Sequence, residues 1–296
     1  MRVETGASRR LKTNAVRRVL FAPCVAVSLF LTFTLTPARA AQGELTPLQQ
    51  EIKSLTARLS STDVEERREA VTRLGALGRP EGSRAASAAL GDAAPIVRAT
   101  AARAVLSLPS GEAATLILPL LRDKDEFVRR EAAYALGLTR SAAGVPALVP
   151  VLETDKQASV RGAAAVALGQ IGDAAAVPAL VGALSRRQQS SGFLNRVRRR
   201  RAEEDDFVRR AAAVSLGQIG SREAVPVLSE TLSNARAPED VRREAARALG
   251  LIGDPAAVPA LRSVLADKDP YLSRIAFEAL KRLDPANATQ PTGGGF

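Results

Sequence analysis

The imidazole and thiol side chains that often supply catalysis or bind metals are nearly absent from this sequence, because its 296 residues include no histidine and a single cysteine, Cys24. Arginine, which acts through charge and hydrogen bonds, is the functional side chain that recurs. Serine–histidine–aspartate and cysteine–histidine catalysis need an imidazole that titrates near neutral pH, and histidine-ligated zinc sites need it as a ligand. The composition excludes these chemistries and argues against most hydrolases. We expect no enzyme activity, no catalytic residue, no metal site and no bound cofactor.

Six arginines recur at nearly regular intervals of 31, 31, 32, 48 and 33 residues. They are Arg67, Arg98, Arg129, Arg161, Arg209 and Arg242. One interpretation is a ladder that binds a polyanion. We favour a structural ladder of ion pairs and hydrogen bonds between units, because an aspartate lies near the start of each unit. These aspartates are Asp92, Asp123, Asp155, Asp206 and Asp240.

The interval of 48 residues contains an insertion between Ser185 and Asp206, with seven arginines, four acidic residues and a net charge of +3. Insertions in repeat arrays form loops on one face, and loops often carry recognition sites. We expect either a solvated loop, in which the arginines at 198–201 pair with the acids at 203–206, or an arm that grips an acidic protein. The candidate partner-binding residues are Arg186, Arg187, Phe193, Leu194, Arg196, Arg198, Arg199, Arg200 and Arg201.

The choice of partner class follows from charge and aromatic content. Weak contact of the insertion with an anionic membrane surface is a further option. Nucleic acid is disfavoured, because the chain has no tryptophan and only 3% aromatic residues for base stacking. We therefore expect a protein partner, with an acidic protein as one option, and no nucleic acid. The sequence indicates no particular oligomeric state.

The arginines mark a repeated unit whose two halves each predict one short helix. In the first half, Ala, Val and Leu recur every three or four residues and end at a glycine suited to a left-handed C-cap, as in residues 159–172. The second half starts with Val-Pro-Ala-Leu or a close variant, whose proline fits the first turn of a helix. Leucines four residues apart then mark its buried face. The pairs are Leu148 and Leu152, Leu180 and Leu184, Leu228 and Leu232, and Leu261 and Leu265.

This repeat resembles the short HEAT-like repeat of phycobilisome-lyase-related proteins, over residues 63–283 and six to seven copies. The resemblance implies an all-α fold, an α-solenoid in which each helix pair stacks on its neighbours. Such repeats occur in scaffolds, in adaptors and in a few enzymes. The di-iron hydroxylases among those enzymes use His-Glu pairs, which this chain cannot supply. The resemblance favours a protein-binding scaffold or adaptor, with a lyase-like or chromophore-handling enzyme as the alternative.

The resemblance also implies that the second helices line a concave face that could hold a partner's helix or extended peptide. The alternative is that the same positions are packing positions, if the helical phase is wrong by one residue. The outward positions would be Val149, Pro150, Val181, Gly182, Ser229, Glu230, Arg262 and Ser263.

The first 40 residues have the pattern of an export signal. A basic start precedes an uncharged stretch over residues 19–38, and Ala38-Arg39-Ala40 offers the small residues that signal peptidase needs. We expect cleavage after Ala40 and a periplasmic or secreted protein, with an uncleaved inner-membrane anchor as the alternative. Removal of this segment lowers the net charge from +11 to +5, because it holds seven basic residues and one acid.

The repeats are flanked by segments that should end the stack. Residues 41–60 predict a capping helix, residues 61–283 the solenoid, and residues 284–296 a disordered tail. Three residues near the far end are expected to close the stack: Tyr271, Ile275 and Phe277. The first two units are irregular, since Arg84 and Thr115 replace the proline and Leu106 replaces a glycine.

Overall fold

The computed structural model describes residues 45–185 and 195–285, and it describes side chains throughout these ranges except at 195–205. The predicted export signal at 1–40 and nearly all of the predicted tail at 284–296 lie outside this part of the chain. The described residues form fourteen α-helices and no β-strand, which confirms the all-α fold class. The helices are α1 (Pro47–Arg58), α2 (Val64–Ala76), α3 (Pro80–Ser87), α4 (Pro95–Ala104), α5 (Ser110–Ile117), α6 (Glu126–Thr139), α7 (Val145–Thr154), α8 (Ala158–Ile171), α9 (Val177–Ser185), α10 (Asn195–Ile219), α11 (Val225–Ser233), α12 (Glu239–Ile252), α13 (Val258–Ser263) and α14 (Pro270–Leu283).

The helices stack as consecutive pairs. Units 1 to 6 are α2 with α3, α4 with α5, α6 with α7, α8 with α9, α10 with α11, and α12 with α13. The first helix of each unit packs against the first helix of the next, and α14 adds one more first helix after unit 6. Helix α1 packs on α2 and α3. The predicted stack of six to seven units is therefore present. No helix in the described ranges is both long and apolar enough to span a lipid bilayer.

The regular second helices begin where the sequence predicts. The helices α7, α9, α11 and α13 each begin at the valine of the Val-Pro motif, and a one-turn 3₁₀ helix precedes each of them. The proline then occupies the first turn, where the missing N–H group breaks no helical hydrogen bond.

The predicted left-handed glycine ends three of the first helices. Gly172, Gly220 and Gly253 have φ values of 78°, 74° and 75°. In α6 the left-handed residue is instead Arg140, with a φ of 53°, and the motif's Gly137 lies inside the helix. The repeat therefore contains two different glycines, of which one ends the helix.

The other glycine sets the spacing between first helices. A Cβ atom added to Gly137 would lie 2.7 Å from the Cα of Ala167 in α8, and one added to Gly217 would lie 2.8 Å from the Cα of Ala248 in α12. Non-bonded carbon atoms approach to about 3.5–4.0 Å, so adjacent first helices meet there backbone to backbone. Contacts between such small residues explain how the chain forms a core with few aromatic side chains.

The predicted leucine pairs form the core of the second helices. Seven of the eight leucines are fully buried. The exception is Leu265, which is half-buried because α13 ends at Ser263, before the second leucine position.

The first two units depart from the regular pattern, as predicted. Helix α3 begins at Pro80 and α5 follows Pro109, so each has a proline at its start but outside a Val-Pro-Ala-Leu motif. Helix α4 ends at Ala104, and Leu106 lies in a 3₁₀ turn where other units have the helical glycine. A leucine at this position prevents the close backbone contact that glycine permits.

The first helix of the described chain has the features of a cap. The side chain of Thr46 accepts a hydrogen bond from the backbone N–H of Gln49, and the Gln49 side chain accepts one from the backbone N–H of Thr46. This capping box satisfies two N–H groups at the helix start. Leu55 is the buried residue of this helix.

At the far end, the buried face of α14 contains Leu272, Ala276 and Leu280. Ile275 and Phe277 are half-buried, but the Tyr271 side chain is 68% exposed. The prediction that Tyr271 closes the stack is therefore wrong. Its neighbour Leu272 holds the inward position of the first helical turn.

We expect the substitution Leu168→Ala to lower the free energy of unfolding by about 2–5 kcal/mol, because it removes a fully buried side chain from α8. Chemical denaturation monitored by circular dichroism measures this. The matched control is Leu138→Ala in α6, where the leucine is 52% exposed and the change should be close to zero. Equal effects of the two substitutions would contradict the assignment of the buried face.

Candidate functional site

The regularly spaced arginines join each unit to the next. The Nε and Nη2 groups of Arg98 donate to the two carboxylate oxygens of Asp123 at 2.7 and 2.8 Å. Its Nη1 group donates to the backbone carbonyls of Asp92 and Ala93 at 2.7 and 3.0 Å. One guanidinium thus ties the loop before its own unit to the loop before the next. This geometry confirms the structural interpretation of the ladder.

Three other arginines form ion pairs of the same kind. The pairs are Arg67 with Asp92 at 2.7 Å, Arg129 with Asp155 at 2.7 Å, and Arg242 with Asp267 at 2.6 Å. In each pair the aspartate follows the arginine by 25 or 26 residues, just after a second helix. Sequence analysis missed Asp267, because the unit that it begins has Ser273 where the others have the ladder arginine.

The ladder changes at Arg209. The residue 25 positions later is Asn234, whose Oδ1 accepts a hydrogen bond from the backbone N–H of Arg236, as the ladder aspartates do from the residue two positions on. Arg209 donates instead to the carbonyl of Leu184 at 3.1 Å and to Asp206 at 3.3 Å. A neutral amide therefore stands where the junctions of Arg67, Arg98, Arg129 and Arg242 have a carboxylate.

Two of the predicted ladder aspartates have different partners. Asp206 pairs with Arg209 one turn away in the same helix. Asp240 pairs at 3.4 Å with Arg210, the residue after the ladder arginine. Proximity in sequence to the repeated arginine was a poor guide here, because the true partner lies a whole unit away.

The ion pairs hold the pKa of the ladder carboxyl groups below the ordinary range. Hydrogen bonds from Arg67 are the main cause of the lowered pKa of Asp92. At Asp123, burial alone would raise the pKa, but hydrogen bonds from Arg98 and from the backbone N–H of Asp125 outweigh it, so that pKa is lowered too. The side chains of Arg98 and Asp123 are 9% and 10% exposed. The ladder thus leaves little of these guanidinium groups accessible to a polyanion.

The candidate residues of the insertion lie outside the described side chains. Arg186, Arg187, Phe193 and Leu194 precede the described start of α10. The backbone of α10 includes Arg196, Arg198, Arg199, Arg200 and Arg201, whose side chains lie outside the description. The expectation of a loop is wrong for residues 195–206, because α10 runs unbroken through them for 25 residues. This stretch consists mostly of arginine, glutamate and alanine and has no glycine or proline, so it favours a helix.

Helix α10 joins the stack at Phe207. The Phe207 ring lies against α8 at Gly162, where any Cβ atom would overlap the ring. The guanidinium of Arg210 lies 5.7 Å from the centre of the same ring. Gly162 is therefore required for this contact. The contact holds α10 against α8 at the point where the described side chains of α10 begin.

An open groove lies between the second helices of units 2 and 3. Its volume is about 680 Å³. The residues that line it are Leu118, Pro119, Leu121, Arg122, Pro146, Ala147, Pro150, Val151, Thr154 and Asp155. Its walls are mostly apolar, and its polar residues come from the ends of the two second-helix segments. We call this feature the second-helix groove.

Pro150 leaves the carbonyl of Pro146 without its usual helical donor. It lies inside α7 and has no N–H group, so it cannot bond to the carbonyl of Pro146 one turn earlier. Pro146 itself lines the groove. The N–H group of an extended peptide is a suitable partner for such a carbonyl.

The structure tests the predicted outward positions of the second helices. Pro150, Gly182, Glu230, Arg262 and Ser263 are exposed, as predicted. The other three are half-buried: Val149, Val181 and Ser229. The helical phase is therefore right, but of these eight residues only Pro150 lines the second-helix groove.

Sequence analysis missed the wall that unit 2 contributes. Leu118, Pro119 and Leu121 lie in and beside the 3₁₀ turn that continues α5. These three residues were not predicted to line a groove, because Thr115 replaces the proline by which second helices are recognised. The apolar run Leu118-Pro119-Leu120-Leu121 is the feature of the sequence that could have indicated this wall. Among the described side chains, those of 45–185 and 206–285, no cluster of three or more acidic or cysteine side chains could hold a metal ion.

Profiles of known families match this chain over most of its length. The profile for HEAT repeats matches residues 52–137, 114–191 and 232–291. The profile for the PBS lyase HEAT-like repeat matches residues 208–234. In sequence, no curated protein is significantly similar to this chain.

Several solved structures have a similar fold. The Escherichia coli protein YibA is 21% identical, with a TM-score of 0.54 over 79% of this chain and 81% of that one. The karyopherin Kap121p, bound to the extreme C-terminus of the protein phosphatase Cdc14p, is 13% identical, with a TM-score of 0.56 over 80% of this chain and 30% of that one. The complex of CpcE and CpcF of phycocyanin lyase from Nostoc is 25% identical, with a TM-score of 0.46 over 77% and 86%. The first two likenesses support the α-solenoid fold.

We expect Asp123→Asn to lower the free energy of unfolding by about 2–4 kcal/mol near neutral pH, because Arg98 would keep its charge without its carboxylate. The reverse change, Asn234→Asp, should raise the free energy of unfolding by about 1 kcal/mol, because it restores a carboxylate at the ladder position 25 residues after Arg209. Urea denaturation of the two variants and the wild type measures both effects.

Acid provides the control for this experiment. The pKa of Asp123 is lower in the folded protein than its unfolded value of about 3.9. Its contribution is therefore complete above about pH 5 and disappears as the pH falls through the folded-state pKa. The difference between wild type and Asp123→Asn should shrink accordingly. A difference unchanged between about pH 7 and about pH 2 would show that the contribution is not ionic.

Proposed function

We propose, from the premise that this chain belongs to the HEAT-repeat family, that it is an exported scaffold or adaptor that binds a protein partner. HEAT-repeat solenoids mediate protein binding through the extended surfaces that their stacked helices create. The observation that carries the proposal is the second-helix groove. It is an open, mostly apolar cleft between two repeats, and it is the kind of surface into which peptides dock.

The chemistry of this groove favours an extended peptide with apolar side chains. Leucine, valine and proline side chains offer contacts for alternate residues of the peptide. The carbonyl of Pro146 can accept a hydrogen bond from the peptide backbone. A volume of about 680 Å³ lies within the range of about 300–1,000 Å³ that is usual for ligand sites.

The same groove does not favour catalysis. Its acidic lining residue is Asp155, whose carboxylate is bound by Arg129 at 2.7 Å. Enzymatic acid–base chemistry needs a group that is free to transfer a proton to a substrate. We therefore propose that this groove binds a partner and does not perform acid–base catalysis.

The arginine-rich insertion supplies a second contact in this proposal. The ladder commits the repeated arginines to structure, whereas the insertion adds a net charge of +3 to a chain that is otherwise nearly balanced after residue 40. A partner with an acidic segment next to its groove-binding peptide would gain from this charge. Its contribution would weaken as salt screens it.

Export is the third part of the proposal, and it rests on the basic start, the uncharged stretch and the small residues before Ala41. The remainder of the chain contains no cysteine, so an oxidising compartment offers it no disulfide chemistry. A periplasmic or secreted partner is then required.

We expect the substitution Ala147→Arg to abolish partner binding in the second-helix groove, because it places a long charged side chain among the lining residues. The matched control is Ala260→Arg, which changes the corresponding half-buried position of α13 away from the groove. A photo-crosslinker at the exposed residue Thr154, used in intact cells and followed by mass spectrometry, reports the partner. Identical crosslinked products from both variants would contradict binding in this groove.

The insertion is tested in the same assay by removal of residues 186–201, which leaves the regular interval of 32 residues between Arg161 and Arg209. We expect crosslinking to weaken while the melting temperature changes little, because the ladder and the helical core remain. A large fall in melting temperature would instead show that the insertion stabilises the stack.

Fusion of alkaline phosphatase to the carboxyl end of the chain should give an active reporter in a bacterial host, because this enzyme needs an oxidising compartment. The same fusion without residues 1–40 should be inactive. N-terminal sequencing of the exported product should begin at Ala41. Equal reporter activity with and without the segment would refute its role in export.

A further inference from the structure

A second groove lies between α12 and α14, at the far end of the stack and on the layer of first helices. It has a volume of about 460 Å³. Its lining residues are Arg247, Gly250, Leu251, Tyr271, Arg274, Ile275, Glu278, Ala279 and Arg282. We call it the terminal groove. It is made by different helices from those of the second-helix groove.

The terminal groove exposes two large apolar side chains. Leu251 is 59% exposed and Tyr271 is 68% exposed. Unit 3 also has an exposed leucine, Leu138, at the position of Leu251, nine residues after the ladder arginine. Units 3 and 5 have Phe127 and Phe207 at the position of Tyr271, but those two rings are half-buried. Exposed leucine and tyrosine in one cleft indicate a binding surface more strongly than scattered apolar residues do.

The tyrosine ring is held in place from one side. The guanidinium of Arg243 lies 5.3 Å from the centre of the Tyr271 ring. An ion pair at 2.6 Å with Asp269 fixes this arginine in turn. The ring is thus ordered before any ligand arrives, which lowers the entropic cost of binding against its open face.

The charge of the groove favours an anionic ligand. Three arginines line it, Arg247, Arg274 and Arg282, against one acid, Glu278. Arg247 also pairs with Glu244 of its own helix, which leaves a small positive excess. Arg282 is exposed, and within the described part of the chain no acidic side chain pairs with it. Arginine side chains at the edge of an apolar cleft suit carboxylates, to which they can donate two hydrogen bonds.

The length of the groove sets the length of its ligand. Tyr271 begins the first turn of α14 and Arg282 lies in its last turn. Eleven helical residues span about 16 Å, which matches about five residues of extended peptide.

We infer that the terminal groove binds a short, extended acidic segment of a partner protein, with an aromatic or aliphatic side chain against Tyr271 and Leu251 and a carboxylate on Arg282. This site is independent of the second-helix groove. It gives the protein a second docking point, about four units away along the stack.

The test uses a fluorescein-labelled peptide of sequence DELFED with the full chain, and its neutral counterpart NQLFQN. Fluorescence anisotropy should show binding of the acidic peptide at low salt, weakening as salt is raised to about 0.5 M. Arg282→Glu and Tyr271→Ala should each weaken it at least about tenfold, and the neutral peptide should bind at least about tenfold more weakly to the wild type. Both variants change exposed side chains, so their melting temperatures should match the wild type.

The matched control is Arg236→Glu, which makes the same charge change at an exposed arginine outside the groove. It should bind the acidic peptide like the wild type. Equal weakening by Arg236→Glu and Arg282→Glu would overturn the site in favour of general charge attraction. Failure of the wild type to bind the peptide, or Arg282-dependent binding to phosphatidylserine vesicles in its place, would overturn the acidic peptide as ligand. A finding that no partner binds in the second-helix groove would not change the interpretation of these peptide-binding results.

Discussion

Backbone contact between successive first helices is the constraint on which this fold depends. A helix pair of this size cannot bury its own apolar face, so each unit is stable only against its neighbours. Glycine and alanine at the points of closest approach make that contact possible, since a Cβ atom at Gly137 would already overlap Ala167. The small contact residues account for an alanine-rich chain with 3% aromatic residues.

The arginine ladder adds specific ion pairs and hydrogen bonds to this nonspecific packing of small residues. At Arg67, Arg98 and Arg129 the guanidinium binds carbonyls of the loop behind it and a carboxylate of the loop ahead, so it fixes the register of one unit on the next. The fixed geometry explains why a chain with so many arginines offers few of the repeated ones to a ligand. The charges that remain for recognition lie in two places, in the insertion and around α14. Asn234 marks one junction where the ionic link is replaced by a neutral one.

Much of the fold can be predicted from the sequence, because the same pattern of residues recurs in several units. The Val-Pro motif predicted the starts of α7, α9, α11 and α13, and the glycine after each apolar stripe predicted three helix ends. The rest depends on contacts between units, which a single unit does not encode. Arg98 pairs with an aspartate 25 residues away, and the wall at Leu118 belongs to a unit without the motif. The helix over residues 195–206 was missed because an insertion was equated with a loop. Tyr271 was expected to close the stack, although its position in the helical turn points it outward.

Helix α14 also limits how such a protein can evolve. The position of the close-contact glycine, eight residues after the ladder arginine, is Lys281 in this helix, and its ammonium group lies 5.9 Å from the centre of the Phe277 ring. A lysine there prevents another helix from approaching as closely as Gly250 allows. Gene duplication that copied interior units would lengthen the array without changing α14. Growth of that kind would keep both end helices, and with them the groove at α14, while it moved the two docking surfaces apart in steps of one repeat.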